Sequence, residues 1–191
     1  LNKKNGFDYL WNLLETKEMC EIDNKILLAI KWISMSIDEE RLDMAQTELA
    51  FAYESLLKIS RDAVINPSIQ ASIAEATAIL VGSNLDKRLV IIKKFKKFYE
   101  YRSAIVHGSG KKEDLPNYYE MLDIIRACIF KIIKIRKKIE LNSSNDLNSL
   151  LFDNTFIELI IFGADSILIS DKQYEGVKTI KKLDMLLEMI K

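Results

Sequence analysis

The chain has 191 residues, which is long enough to bury a core and matches the size of one main domain. Apolar residues make up 49% and charged residues 29%, which argues against disorder, and six glycines and two prolines favour helices. The longest apolar runs fall short of the roughly 20 residues that span a bilayer, and no secretion signal is present. We therefore expect a cytoplasmic protein without a membrane segment.

The formal net charge of zero hides a strong asymmetry. Residues 87–138 hold 15 Lys and Arg against 5 Asp and Glu, so the remainder of the chain is acidic. A basic segment of this kind is either the solvated face of a helix or an electrostatic footprint for nucleic acid.

Apolar spacing predicts helices through the first half of the chain. The segment 37–59 carries apolar residues on two stripes, which predicts a central helix packed on two sides. Gly82 and Gly108 bracket a basic segment, which predicts a long helix over 85–107. The other predicted helices begin near Phe7, run over 26–37, and extend from Pro67 to Leu80.

The second half of the chain is also predicted to be helical. A long helix follows Pro116 and its basic run ends at Lys138, and the polar sequence 141–149 is predicted to be a turn. An apolar segment over 156–168 and an amphipathic one over 177–190 predict further helices. The fold class is therefore all-α.

Cys20 and Cys128 lie far apart and have no nearby cysteine or histidine partner. They predict two core thiols rather than a disulfide or a zinc site, and no other motif for a metal or cofactor is present. Because the chain begins at Leu1, we expect an upstream domain in a longer protein.

The basic helix ends with the only histidine, His107. A lone histidine is often structural, but a position in the last helical turn favours the protonated imidazole and predicts titration near neutral pH. Arg102 precedes it by five positions, about 140° around the helix, so the two do not share a face. Ser103 does stack on His107. A site assembled from two chains fits this spacing.

The stretch from Phe98 to Gly108, FYEYRSAIVHG, resembles the signature of HEPN domains, in which an arginine, a polar residue, a short spacer and a histidine follow one another. The ApeA-like HEPN branch is the most similar. The stretch from Leu49 to Leu57, LAFAYESLL, supports it, because it resembles that branch's apolar helix with one embedded glutamate, here Glu54. The two elements fall in the family's order and distance.

The resemblance covers about 26–138 and implies an HEPN-like helical bundle as the core. With the helices predicted at about 150–191 as a C-terminal extension, we expect one domain over 1–191. The resemblance also implies a homodimer whose two motifs form a cleft that cuts RNA without a metal, in a toxin or anti-phage defence system. An antitoxin or sensor is a further candidate partner. Some members have instead lost catalysis and serve in dimerisation or in nucleotide or RNA sensing, and a plain helical scaffold is a third possibility.

The chemistry of RNA cleavage assigns roles to these residues. Attack by the 2′-hydroxyl needs a group that moves a proton, as His107 would, and a cation that stabilises the phosphorane, as the forked guanidinium of Arg102 would. Glu54 would orient Arg102, although an exposed glutamate paired with Lys58 is the alternative. The candidate catalytic residues are Arg102, His107, Ser103 and Glu54.

Further residues of the basic helix are candidates for RNA binding. Lysines would hold the phosphate backbone, and a tyrosine would stack an unpaired base. The alternative is a set of solvated lysines and core tyrosines. The candidates are Lys93, Lys94, Lys96, Lys97, Tyr99 and Tyr101.

Overall fold

Helices make up most of the described part of the chain, and no strand occurs there. A computed structural model describes residues 7–16, 18–58, 68–106, 117–136 and 138–152. Within those ranges no helix is long and apolar enough to cross a membrane. The expected all-α fold is confirmed. The helices are α1 (Phe7–Glu15), α2 (Glu21–Asp38), α3 (Leu42–Leu57), α4 (Ile69–Val81), α5 (Leu85–Val106), α6 (Tyr118–Arg136) and α7 (Ser144–Phe152).

The centre of the bundle is α3, as its two apolar stripes predict. It contacts α2, α4, α5 and α6, and nine of its 16 residues are buried. Tyr53 on α3 is fully buried, meets Phe95 of α5 edge to face at 4.8 Å, and donates a hydrogen bond to the carbonyl of Met121 at 2.7 Å. This side chain therefore joins α3, α5 and α6.

The turn between α4 and α5 depends on a glycine. The side chain of Arg88 is buried, and its Nε donates to the carbonyl oxygen of Gly82 at 3.1 Å. A Cβ atom at position 82 would lie 2.5 Å from Cγ of Arg88 and 2.6 Å from the carbonyl oxygen of Ala78, both closer than van der Waals contact allows. The lack of a side chain at Gly82 therefore lets α5 start close to the end of α4.

A buried carboxylate joins α1, α2 and α6. Asp23 is 4% exposed, accepts a 2.6 Å hydrogen bond from the hydroxyl of Tyr9, and forms an ion pair with Arg136. The guanidinium of Arg136 lies 5.7 Å from the centre of the Tyr9 ring. Burial alone would raise the pKa of Asp23, but hydrogen bonds from Tyr9, Arg136 and Cys20 outweigh it and lower that pKa.

The turn predicted over 141–149 is wrong, because α7 begins at Ser144. The hydroxyl oxygen of Ser143 accepts from the backbone N–H of Asp146 at 3.2 Å, and the Asp146 carboxylate accepts from the backbone N–H of Ser143 at 2.8 Å. This reciprocal capping starts a helix from residues that otherwise favour turns. Burial of Leu147, Leu150 and Leu151 then holds α7 on the bundle.

The two cysteines differ in burial. Cys128 is fully buried and its burial raises the pKa of the thiol, as expected of a core residue. Cys20 is only partly buried and precedes α2. The helices predicted over 156–168 and 177–190 lie outside the described residues.

Candidate functional site

Arg102 lies near the end of α5 and faces α3. Its side chain is 26% exposed, and its Nη2 atom lies 3.8 Å from Oε1 of Glu54. The guanidinium carbon is 5.6 Å from the centre of the Phe51 ring, a cation–π distance. The Nε atom is buried and has no hydrogen-bond partner among the described residues. Arg102 is therefore held in place from α3 while part of its guanidinium reaches solvent.

Glu54 lies close to Arg102, the cation expected to be its partner from the resemblance to HEPN domains. Its side chain is 27% exposed, and its described ion pair is with Arg102 on α5. The same oxygen, Oε1, accepts a hydrogen bond from the hydroxyl of Tyr99 at 3.0 Å. The expected contact between Glu54 and Arg102 is present, whereas the role of Glu54 toward RNA stays a prediction.

Neither tyrosine of α5 is placed to stack a base. Tyr99 is 8% exposed and Tyr101 is 9% exposed. The ring of Tyr99 stacks on Phe95 with 5.0 Å between ring centres and 26° between planes. A buried ring would have to leave the core to meet a base, so neither tyrosine is available for base stacking in this structure. The core-tyrosine alternative describes both residues.

The four lysines of α5 have different surroundings. Lys93, Lys96 and Lys97 are exposed, and Lys96 lies 3.9 Å from Glu100 in an ion pair that solvent screens. Lys94 is less exposed and forms an ion pair with Glu120 of α6. Lys94 therefore helps to join two helices, while the other three present their charge to solvent.

Ser103 is exposed, in contrast to its neighbour Arg102. One residue of helix turns the side chain by about 100°, so Arg102 faces α3 while Ser103 faces away from it. His107 lies outside the described residues. It follows Val106, the last residue of α5, directly in the sequence.

The sequence did not single out Phe51, and it predicted Tyr99 for base stacking rather than for its contact with Glu54. Phe51 precedes Glu54 by three positions on α3, and Tyr99 precedes Arg102 by three on α5. Residues three apart are neighbours on a helix surface. Once α3 and α5 are known to pack together, this spacing brings the two pairs of side chains, Phe51 with Glu54 and Tyr99 with Arg102, to one place.

An open groove lies elsewhere, between α4, α5 and α6. It is lined by residues such as Val81, Ile91 and Ile124, with Glu120 and Asp123 among its polar members. None of the residues predicted to act on RNA lines it. Among the described residues, no group of three or more histidine, cysteine, aspartate or glutamate side chains could hold a metal ion.

Comparisons of the chain with protein-family models, with curated proteins and with solved structures found no match. The class of protein that can be stated is therefore the one defined by the fold, an all-α bundle.

Proposed function

We propose that the chain is an HEPN-type endoribonuclease, most similar to the ApeA-like branch, that cuts RNA without a metal ion at a homodimer cleft in a toxin or anti-phage defence system. The observation that supports this best is the placement of Arg102. It lies close to Glu54 and over the ring of Phe51, is partly open to solvent, and precedes His107 closely in the sequence. A forked cation, followed five positions later in the sequence by an imidazole, suits phosphate transfer.

The proposed reaction uses the RNA's own 2′-hydroxyl. One His107 accepts the proton as the 2′-oxygen attacks phosphorus, and the partner's His107 donates a proton to the leaving 5′-oxygen. Arg102 stabilises the added negative charge of the phosphorane. The bond between phosphorus and the 5′-oxygen breaks, which leaves a 2′,3′-cyclic phosphate and a 5′-hydroxyl.

The direct test is to incubate the purified protein with a mixed RNA pool in the presence of a chelator and to analyse the fragment ends. The expected products carry 2′,3′-cyclic phosphate and 5′-hydroxyl groups. Cleavage that stops when the chelator is added, or ends that carry a 5′-phosphate, would rule out this chemistry.

The two-chain site requires a homodimer. We expect sedimentation at micromolar concentration to show a dimer, because one chain supplies only one histidine for two proton transfers. A protein that is monomeric both with and without RNA would contradict the shared site.

The exposed lysines of α5 should add affinity without specificity. Replacing Lys96 and Lys97 by alanine should weaken RNA binding and reduce the slope of log affinity against log salt by about 1.4, at about 0.7 for each phosphate contact on single strands. Turnover at saturating RNA should persist. Filter binding at several salt concentrations would measure this.

The matched control for the lysine variant is the Lys131→Ala and Lys134→Ala pair, since both residues are exposed and lie on α6. It removes the same charge from the protein. If both double variants change the slope equally, the effect comes from net charge and the lysines of α5 are not an RNA-binding surface.

The second candidate function is a catalytically silent HEPN module that dimerises or senses RNA or a nucleotide. The observation that favours it is that Arg102 already has a carboxylate partner in Glu54. Such a module would bind RNA in an Arg102-dependent way and leave it intact. A plain helical scaffold would show neither property.

A further inference from the structure

The ion pair between Glu54 and Arg102 is longer than a direct hydrogen bond. Its Nη2 to Oε1 distance is 3.8 Å, whereas a charge-assisted N–H···O hydrogen bond is about 2.7–2.9 Å long. The same Oε1 atom lies 3.0 Å from the hydroxyl of Tyr99. The carboxylate is therefore bound to the tyrosine and only close to the arginine.

Tyr99 is a fixed donor. Its ring is held by stacking on Phe95 at 5.0 Å and by an edge contact with Phe98 at 6.0 Å, so the hydroxyl has little freedom to follow Glu54. Burial, with the neighbouring Glu54 charge, raises the pKa of Tyr99, so the hydroxyl stays protonated and can only donate to the carboxylate. Glu54, by contrast, has flexible torsions and a side chain that is 27% exposed.

Both described partners of Glu54 lie at the same oxygen, Oε1, and the hydrogen bond from the fixed Tyr99 hydroxyl holds that oxygen 3.8 Å from the guanidinium. If the Tyr99 hydroxyl were absent, attraction would bring the carboxylate into direct hydrogen-bonding contact with the guanidinium. A closed, bidentate pair of this kind occupies two N–H donors of the guanidinium and neutralises its charge, so fewer donors remain for a phosphate. The position of Glu54 therefore controls how much of Arg102 remains available to an anion.

We propose that Tyr99 is a positioning residue that restrains Glu54 and so keeps Arg102 available to an RNA phosphate. This inference rests on the proposed function, since it takes RNA phosphate as the ligand of Arg102. It adds a residue that acts through Glu54 without touching RNA itself.

The test measures binding of a short single-stranded RNA in a His107→Ala background, where the RNA stays intact. Tyr99→Phe keeps the ring and removes only the hydroxyl. We expect it to weaken binding by about tenfold, the size expected for one charge-assisted hydrogen bond. Adding Glu54→Gln to Tyr99→Phe should restore the affinity, because a neutral amide does not close on the guanidinium as a carboxylate does.

The matched control is Tyr118→Phe. Tyr118 is also 8% exposed. Its hydroxyl donates to the carbonyl of Ser36 at 3.0 Å and not to Glu54. This variant likewise loses a buried, hydrogen-bonded tyrosine hydroxyl, so both variants should unfold at lower temperature. Only Tyr99→Phe should also lose RNA affinity.

The outcomes separate the two proposals. If Arg102→Ala weakens binding but Tyr99→Phe binds as tightly as Tyr118→Phe, or if Glu54→Gln fails to restore binding, the role of Tyr99 is overturned and the RNA-binding site stands. If Arg102→Ala binds RNA as the parent protein does, both proposals fail.

If Tyr99→Phe does not fold, the RNA affinity of Glu54→Gln alone provides a second test, because this substitution keeps the Tyr99 side chain in the core. The restraint predicts tighter RNA binding than in the parent protein, because the negative charge beside Arg102 is gone. Binding that is unchanged or weaker in Glu54→Gln would mean that the carboxylate does not limit access to Arg102, and would overturn the inference.

Discussion

Replacing Arg102 by alanine should lower the rate constant for RNA cleavage by about two to three orders of magnitude, the loss typical when one group that stabilises transition-state charge is removed. His107→Ala should lower it by about two to four orders, because it removes proton transfer. The fold should persist, since Arg102 lies near the end of α5 and is partly exposed. Single-turnover cleavage of a labelled RNA, with thermal unfolding in parallel, would measure both effects.

The control for these variants is Arg126→Ala. Arg126 is an exposed arginine on α6, 3.5 Å from Asp123, and its loss removes the same charge from the protein. It should cleave RNA at close to the wild-type rate. RNA cleavage that survives both Arg102→Ala and His107→Ala would refute this mechanism.

Among the variants proposed for this protein, Asp23→Ala should lower the free energy of unfolding the most. It leaves Arg136 without its carboxylate and the Tyr9 hydroxyl without its acceptor at the junction of α1, α2 and α6. Breaking a buried ion pair by removing one partner costs about 3–5 kcal/mol, and we expect about 3 because the side chain of Arg136 is 17% exposed. The free energy of unfolding in urea would measure it.

An exposed ion pair gives the comparison. Asp43→Ala breaks the contact with Arg41, whose side chain is 68% exposed, and should lower stability far less than Asp23→Ala because solvent screens the pair. Equal losses in Asp23→Ala and Asp43→Ala would show that the buried junction adds nothing particular to stability.

The contribution of Asp23 should also depend on pH. Folding lowers the pKa of this carboxyl, so its stabilisation is complete above the unfolded value of about 3.9 and is lost as the pH falls through the lower folded value. The stability difference between the wild type and Asp23→Ala should therefore be constant near neutral pH and shrink below about pH 4. A difference that grows in acid would contradict this sign.

The helices were predictable because their apolar spacing and their glycine and proline boundaries are local signals. The predicted helix 85–107 corresponds to α5, which spans Leu85 to Val106. The start of α7 was not predictable in the same way, because Ser143 and Asp146 favour turns and helix caps equally. Only the burial of the leucines that follow decides between them.

The site was predictable in part. The contact of Glu54 with Arg102 followed from the resemblance to HEPN domains, but the inward orientation of Tyr99 and Tyr101 did not follow from the sequence. Lysines and aromatic residues are interleaved along α5, so periodicity does not show which face meets α3. That choice is made by the aromatic cluster around Tyr53, whose members come from distant parts of the chain.

The tight turn at Gly82 has a mechanical consequence. Arg88 is fixed against the end of α4, and Arg102 lies about 21 Å farther along α5 at about 1.5 Å per residue. A helix that pivots as a stiff rod by about 3° at one end moves a point about 21 Å away by about 1 Å, an error large enough to slow a reaction that depends on positioning. The close packing at Gly82, at the start of α5, therefore affects the position of Arg102 near the other end of that helix.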